Sequence, residues 1–127
     1  MAVKWLDDPE DHDFAAAADY LSLVAEADAV AATVDALKSA PTELRKAKDI
    51  MRAARLALLP ATNLRVKNDL SKIDAGKKLS PILLVRGKVL DGVALEIADG
   101  YHRACASYLT DENTPIPCRL VSWQSLD

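Results

Sequence analysis

Residues 94–108 read ALEIADGYHRACASY. Leu95 and Ile97 alternate with Glu96 and Ala98, the two-residue period of a half-buried strand. Asp99-Gly100 breaks that run, and Tyr101 to Leu109 carries no further breaker, which predicts a helix. A strand delivered straight into a helix start gathers unpaired backbone N–H groups, the positive end of a helix dipole and two basic side chains, His102 and Arg103, at one corner. Those are the ingredients of a phosphate site.

Upstream of this stretch, Pro81-Ile82-Leu83-Leu84-Val85-Arg86 is a continuous apolar run that suits a strand covered on both faces. Gly87 and Asp91-Gly92 supply turn chemistry between it and the strand Val93 to Ala98. Downstream, Asp111 to Pro115 reads as a loop and Pro117 to Ser122 as a closing strand. Before Pro81, Asn63 is placed to cap a helix that carries Val66, Leu70 and Ile73 inward and ends at Gly76. Arg65, Asn68 and Lys72 share another face of that helix at i, i+3 and i+7. Leu56 to Leu59 reads as a short strand before the turn at Pro60.

The front of the chain has a different pattern. Met1 to Asp13 is acidic, with Pro9, and reads as loose apart from Trp5 and Leu6. Phe14, Ala17, Ala18, Leu21 and Val24 recur at helical spacing over about 13–24, and Ala27, Val30, Ala31, Val34 and Leu37 form a second stripe. Whether Ala25-Glu26 separates the two is open. Thr42 is a good N-cap for a third helix, with Ala47, Ile50, Met51 and Ala54 on one face and Arg45, Lys48, Arg52 and Arg55 on the other. The expected architecture is α+β: one domain over 1–127, with a helical region (1–56) packed on a small mixed sheet core (57–127).

Composition narrows the class. The 127 residues include only six aromatics, so the core must be built from Ala, Leu, Val and Ile. No apolar run approaches a membrane span and the N-terminus lacks a signal peptide's apolar core, which implies a cytoplasmic protein without a membrane partner. Cys105 and Cys118 read as buried free thiols. The net charge of −3 conceals a polarity. Residues 1–41 hold two Lys and nine acids, 42–78 hold ten basic residues and four acids, and 79–127 hold four basic residues and six acids. The acidic front either lies over the basic middle or leaves it to face an anionic partner. The acidic pI argues against a dedicated duplex-DNA binder.

In order, the helix ending at Gly76, Pro81-Ile82-Leu83-Leu84-Val85, a hairpin, Ile97-Ala98-Asp99-Gly100-Tyr101-His102-Arg103-Ala104-Cys105-Ala106 and Ile116-Pro117-Cys118-Arg119-Leu120-Val121 resemble the ParB/sulfiredoxin superfamily. The resemblance covers about Leu58 to Val121, half the chain, and Gly100-x-x-Arg103-x-x-Ala106 matches that family's turn-helix motif. It implies that Gly100 to Arg103 cradles nucleotide phosphates, with Arg65, Asn68 and Lys72 near where sulfiredoxins hold other parts of the nucleotide. The physical roles agree: glycine admits close approach and positive φ, Arg103 offers a planar fork of donors, and His102 donates from either ring nitrogen.

The departures are informative. Sulfiredoxin's catalytic cysteine immediately precedes the His-Arg pair, and Tyr101 stands there; a phenol does not replace that thiolate. ParB clamps carry a second phosphate motif and a helix-turn-helix domain downstream, whereas this sequence ends six residues after Val121, so centromere binding by that route is not expected. Free serine kinases carry Asp-Gly-His-His-Arg, matched here by Asp99-Gly100-x-His102-Arg103.

Asp99 therefore has two readings, a catalytic carboxylate that accepts a proton or helps hold Mg²⁺, or a turn aspartate that ties off the helix start. His102 is either a phosphate contact, sharing the catalytic role with Asp99, or an ordinary imidazole. Arg103 is either a phosphate ligand or the partner of Asp99 or Glu96 in an ion pair. Tyr101 either stacks on a base or packs. No metal-ligand spacing is present: His102, Cys105, Cys118 and Asp99 lack a paired Cys-x-x-Cys, and His12 among acids suggests nothing specific. The leading expectation is a domain that binds a nucleotide such as ATP or CTP, with Mg²⁺ as the accompanying ion, and hydrolyses it or transfers its phosphoryl group. The alternatives are a non-catalytic module whose Ala-rich helices bind a partner or a second copy, and a nuclease or nucleic-acid binder using Arg45, Lys48, Arg52 and Arg55.

Overall fold

The computed structural model describes residues 2–124; Met1, at the head of the expected loose segment, and residues 125–127, at the end of the expected core region, lie outside the described residues. The organising strand is β4, Ile82–Val85, every residue of which is buried. It lies between β5, Glu96–Asp99, and β6, Pro115–Val121, and the four-stranded sheet is completed by β2, Glu43–Lys46, in the order β2-β6-β4-β5. β4 runs parallel to β6, with Ile82 opposite Cys118 and Val85 opposite Val121. It runs antiparallel to β5, with an irregularity between Leu83 and Leu84, while β2 is antiparallel to β6. The mixed sheet and its flanking helices make an α+β fold, as the sequence pattern implies.

The continuous apolar run of β4 follows from helices on both faces of the sheet. Ile82 and Leu84, with Ile97, Ile116 and Cys118, pack against α3 (Ala47–Ala54), α4 (Leu64–Asp74) and α5 (Tyr101–Thr110). Leu83 and Val85, with Ala98, pack against α1 (Asp11–Leu21) and α2 (Ala27–Ser39). The stripes Phe14-Ala17-Leu21 and Val30-Val34-Leu37 are thus consumed inside the chain. A partner or second copy would have to use another surface. The chain turns at 22–26 between α1 and α2, where the Ser22 hydroxyl donates to the Asp19 carbonyl at 2.6 Å. Val24, expected on the first stripe, lies in this turn and is half exposed.

Arg119 of β6 fastens this helical layer. Its guanidinium donates to the carbonyls of Leu37 (3.2 Å) and Lys38 (2.7 Å) at the end of α2, meets Asp8 at 3.1 Å, and lies 5.8 Å from the centre of the Phe14 ring. A cation on the last carbonyls of a helix satisfies orphan acceptors and complements the dipole.

Three local expectations are corrected. Residues 43–46 form the edge strand β2 and not the first turn of a helix, so Thr42 is not an N-cap, and Arg45 belongs to a strand. The N-cap is Lys46, and the first amides of α3, those of Ala47 and Lys48, donate to the carbonyls of Thr114 and Glu112. The region 1–56 therefore contributes a strand to the sheet it was expected only to cover. Residues 56–59 form no strand, because their backbone is irregular. The segment expected to be loose holds β1, Lys4–Trp5, paired in parallel with β3, Lys78–Leu79, and residues 11–13 open α1. The start of α4 matches the sequence pattern, since the Asn63 side chain accepts from the amides of Arg65 and Val66, and Val66 and Ile73 are buried; β5 begins at Glu96 and not Val93, and β6 at Pro115 and not Pro117.

Candidate functional site

Gly100 is the hinge between β5 and α5. Its φ is +110°, a conformation that L side chains rarely adopt, and a Cβ there would lie 2.7 Å from Ile82 Cβ, with Ile82 Cγ2 nearer still. The glycine is thus demanded by the fold itself, before any ligand is considered. No side chain caps α5, and among the described residues none accepts from the amides of Tyr101, His102 and Arg103. These donors stay free at the positive end of a ten-residue helix.

α4 packs alongside α5 and turns one polar face toward this corner. Arg65, Asn68, Asp69 and Lys72 from α4, with Asp99, Gly100, His102 and Arg103, line a single depression of about 280 Å³. The structure thereby brings together every residue assigned from the sequence to the nucleotide site except Tyr101. The Tyr101 side chain turns the other way, where its hydroxyl donates to the Ala57 carbonyl and its ring packs on the core. Two acids were missed. Asp69 was findable, since it stands four residues from Arg65 and three from Lys72 on the same helical face. Asp13 stands where the acidic segment meets the first apolar stripe, immediately before Phe14, and its spacing does not relate it to residues 65–72 or 99–103.

Arg103 is tied inward. Its Nη2 donates to Asp99 Oδ2 at 2.8 Å and to the Pro81 carbonyl at 3.3 Å, and lies 3.9 Å from Asp13 Oδ1. Asp13 is itself buried, with Oδ2 accepting from the Glu10 amide at 2.8 Å. Arg103 Nε is enclosed without a partner. Burial pushes the Asp99 carboxyl up, the Arg103 guanidinium opposes that shift, and the neighbouring Asp13 carboxyl adds to it. Burial also raises Asp69, against the pull of Lys72, Arg103 and His102. His102 is lowered by burial and by Arg65, which favours a neutral imidazole near pH 7.

Three cations, Arg65, Lys72 and Arg103, therefore face three carboxyls, Asp13, Asp69 and Asp99. The exposed cations sit on the α4 rim, and the innermost one is paired. Such a corner can accept an oxyanion through the α5 amides, the His102 ring and the α4 cations. It offers no thiolate nucleophile. Cys105 and Cys118 are both buried, and burial raises the first and pushes the second up to about 12.

Of the cations expected to share one basic face, Arg45, Arg52 and Arg55 border one cavity that Lys48 does not line, and Arg45, in β2, makes an ion pair with Glu43 at 2.8 Å. Among the described residues no helix is long and apolar enough to cross a membrane. Comparison with protein-family models, with curated proteins and with solved structures finds no match to this chain.

Proposed function

We propose that the depression between α4 and the start of α5 binds the phosphate groups of a nucleotide such as ATP or CTP, as the resemblance to ParB/sulfiredoxin domains implies. The supporting observation is the convergence of Arg65, Asn68 and Lys72 with Gly100, His102 and Arg103 on one depression faced by unpartnered amides. A volume of about 280 Å³ lies just under the usual range for small-molecule pockets. It suits phosphates, with base and ribose resting outside. Arg65 and Lys72 contribute charge from the rim, the neutral His102 ring and the α5 amides contribute directed donors, and Arg103 holds Asp99 in place.

Hydrolysis or phosphoryl transfer at this corner would draw on Asp99 or His102 as proton acceptor, since a carboxyl raised by burial is a better base than an exposed one. Asp69 fits a Mg²⁺ that is held through one carboxylate together with substrate phosphates. It is half-buried and lines the depression, and no ion pair engages it among the described residues. The ion would neutralise phosphate charge beside it.

The test is thermal unfolding with ATP, ADP, CTP and GTP, with and without Mg²⁺. Ligand at a hundredfold excess over Kd stabilises by about 2.7 kcal/mol, roughly 10 °C for a chain of this size. Arg65→Ala with Lys72→Ala should remove the shift while leaving the apo midpoint nearly unchanged, because both side chains are exposed. No shift with any nucleotide at millimolar concentration would reject the reading. One observation favours the non-catalytic alternative: Arg103 already has Asp99 and Asp13 as partners, which makes the corner partly self-satisfied.

A further inference from the structure

A second cavity, of about 500 Å³, lies at the opposite end of the antiparallel β4–β5 pair and shares no residue with the depression described above. Its size falls within the range of small-molecule pockets. Its floor is apolar, formed by Ile50 of α3, Leu84 of β4 and Leu95. Four arginines line it: Arg45, already paired with Glu43 at 2.8 Å, and Arg52, Arg55 and Arg86, with Asp49 as the only acid among the lining residues.

The guanidinium groups of Arg52, Arg55 and Arg86 are weakly engaged. Arg52 reaches Asp49 only at 3.5 Å, with both side chains exposed, and Arg55 makes a 3.5 Å contact to the Gly92 carbonyl. The Arg86 amide donates to the Val121 carbonyl at 2.8 Å, but its guanidinium donates to no side chain or carbonyl among the described residues. Three like charges gathered over a non-polar floor repel one another until an anion joins them. Arg55 adds an independent sign. It caps α3 in the left-handed region, φ 57°, where glycine is the usual occupant, and among the described residues it is the only non-glycine with positive φ. Stability alone favours glycine there, and the arginine sets a cation on the rim instead.

The walls are fixed. The Leu95 amide donates to the Ala53 carbonyl of α3 at 3.1 Å, and a Cβ on Gly87 would strike the carbonyls of Val93 and Ala94, so the hairpin crosses there at the closest possible approach.

We propose that this cavity binds a small amphipathic anion: a carboxylate, sulfonate or phosphate carried on an apolar body. The body lies on Ile50, Leu84 and Leu95, and the head is held by Arg52, Arg55 and Arg86. Arginine forks match such oxyanions in geometry as well as in charge. The site is independent of the nucleotide reading and stands if that reading fails.

The experiment uses the full chain, titrated with anilinonaphthalene sulfonate by fluorescence and calorimetry, with decanoate, acetate and decanol as competitors. The expected result is saturable one-to-one binding, displaced by decanoate and not by acetate or decanol. Arg86→Ala and Arg55→Gly should each weaken it about tenfold, the loss of one charge-assisted hydrogen bond. Arg55→Gly should unfold at the same or a higher temperature, which separates lost binding from lost structure. Arg65→Ala, outside this cavity, should leave the affinity for the sulfonate as it is. Non-saturating binding, equal displacement by decanol, or indifference to both arginine substitutions overturns the proposal. So does binding of an acidic peptide with no uptake of the sulfonate or decanoate, which would assign the face to a protein partner.

Discussion

Gly100→Ala tests whether the corner between β5 and α5 is built as described. Two costs arise from one methyl group. A non-glycine residue at positive φ is strained by about 1–2 kcal/mol, and φ of +110° lies beyond the usual left-handed well. The new Cβ would also sit 2.7 Å from the Cβ of Ile82, a fully buried residue between two helical layers that has no room to retreat. Overpacking of that kind costs about 1–3 kcal/mol. Together they amount to about 2–5 kcal/mol, a large share of the stability of a domain this size. The urea midpoint should fall by roughly 1–2.5 M for a slope near 2 kcal/mol/M, and Tm by roughly 8–19 °C. Ile82→Ala in the same chain should make Gly100→Ala cheaper by about 1–2 kcal/mol, because Cγ2 is gone while the strain in φ remains. A loss below about 1 kcal/mol for Gly100→Ala, or strict additivity with Ile82→Ala, would refute the close-contact account.

Arg119→Ala should cost about 2–3 kcal/mol in chemical denaturation, since it strips two carbonyls at the end of α2 of their donor and removes the cation beside Phe14; Arg119→Lys should recover less than half. Asn63→Ala removes the acceptor of the Arg65 and Val66 amides and should cost about 1 kcal/mol by the same assay. Asp99 is raised in the folded state, so the folded chain binds more protons than the unfolded one between the ordinary carboxyl value and the raised one, and stability falls as pH rises through that window. Asp99→Asn should flatten this part of the pH–stability profile, measured from pH 3 upward, and cost less than about 1 kcal/mol at pH 7, because the amide can still accept from Arg103 and donate to Asp13. Cys105 and Cys118 should resist a thiol reagent at pH 8 in the native state and react together on unfolding, given their burial and raised thiols.

Where the chain's local chemistry coincides with its tertiary role, the sequence is readable. β4 announces itself because both its faces are buried, so no polar residue interrupts Ile82 to Val85. The turn at Asp99-Gly100 is legible because only glycine tolerates the required φ, and Asn63 because a helix start needs an acceptor for its amides. β2 is hidden for the opposite reason. Glu43-Leu44-Arg45-Lys46 is an edge strand held by backbone bonds to β6, with Leu44 two-thirds exposed, so no apolar alternation marks it. Its charges also continue the spacing of Lys48, Arg52 and Arg55 on α3, which mimics a helical face. Asp13 is concealed by its neighbours: the acids around Pro9 look like a solvated tail, although they supply the negative charge a helix start favours and the capping partner of Glu10.

Asp13 also changes what the N-terminal helices mean for the candidate site. Arg103 reads from sequence as the leading phosphate ligand, yet its guanidinium is held between Asp99 on β5 and Asp13 on α1, 17% exposed. An anion entering the depression would compete with both carboxyls, and the lost ion pairs would offset much of its attraction to Arg103. Under the nucleotide reading, binding would then depend on the cations without an ion-pair partner among the described residues, Arg65 and Lys72 on α4, and on the three amides of α5. It should tighten as the pH falls and Asp99 takes up a proton. On this view the α1–α2 layer is a determinant of affinity as well as a cover for the sheet: Asp13→Asn should strengthen phosphate binding at pH 7 by releasing part of the hold on Arg103, whereas a corner with only a structural role would show no binding to strengthen.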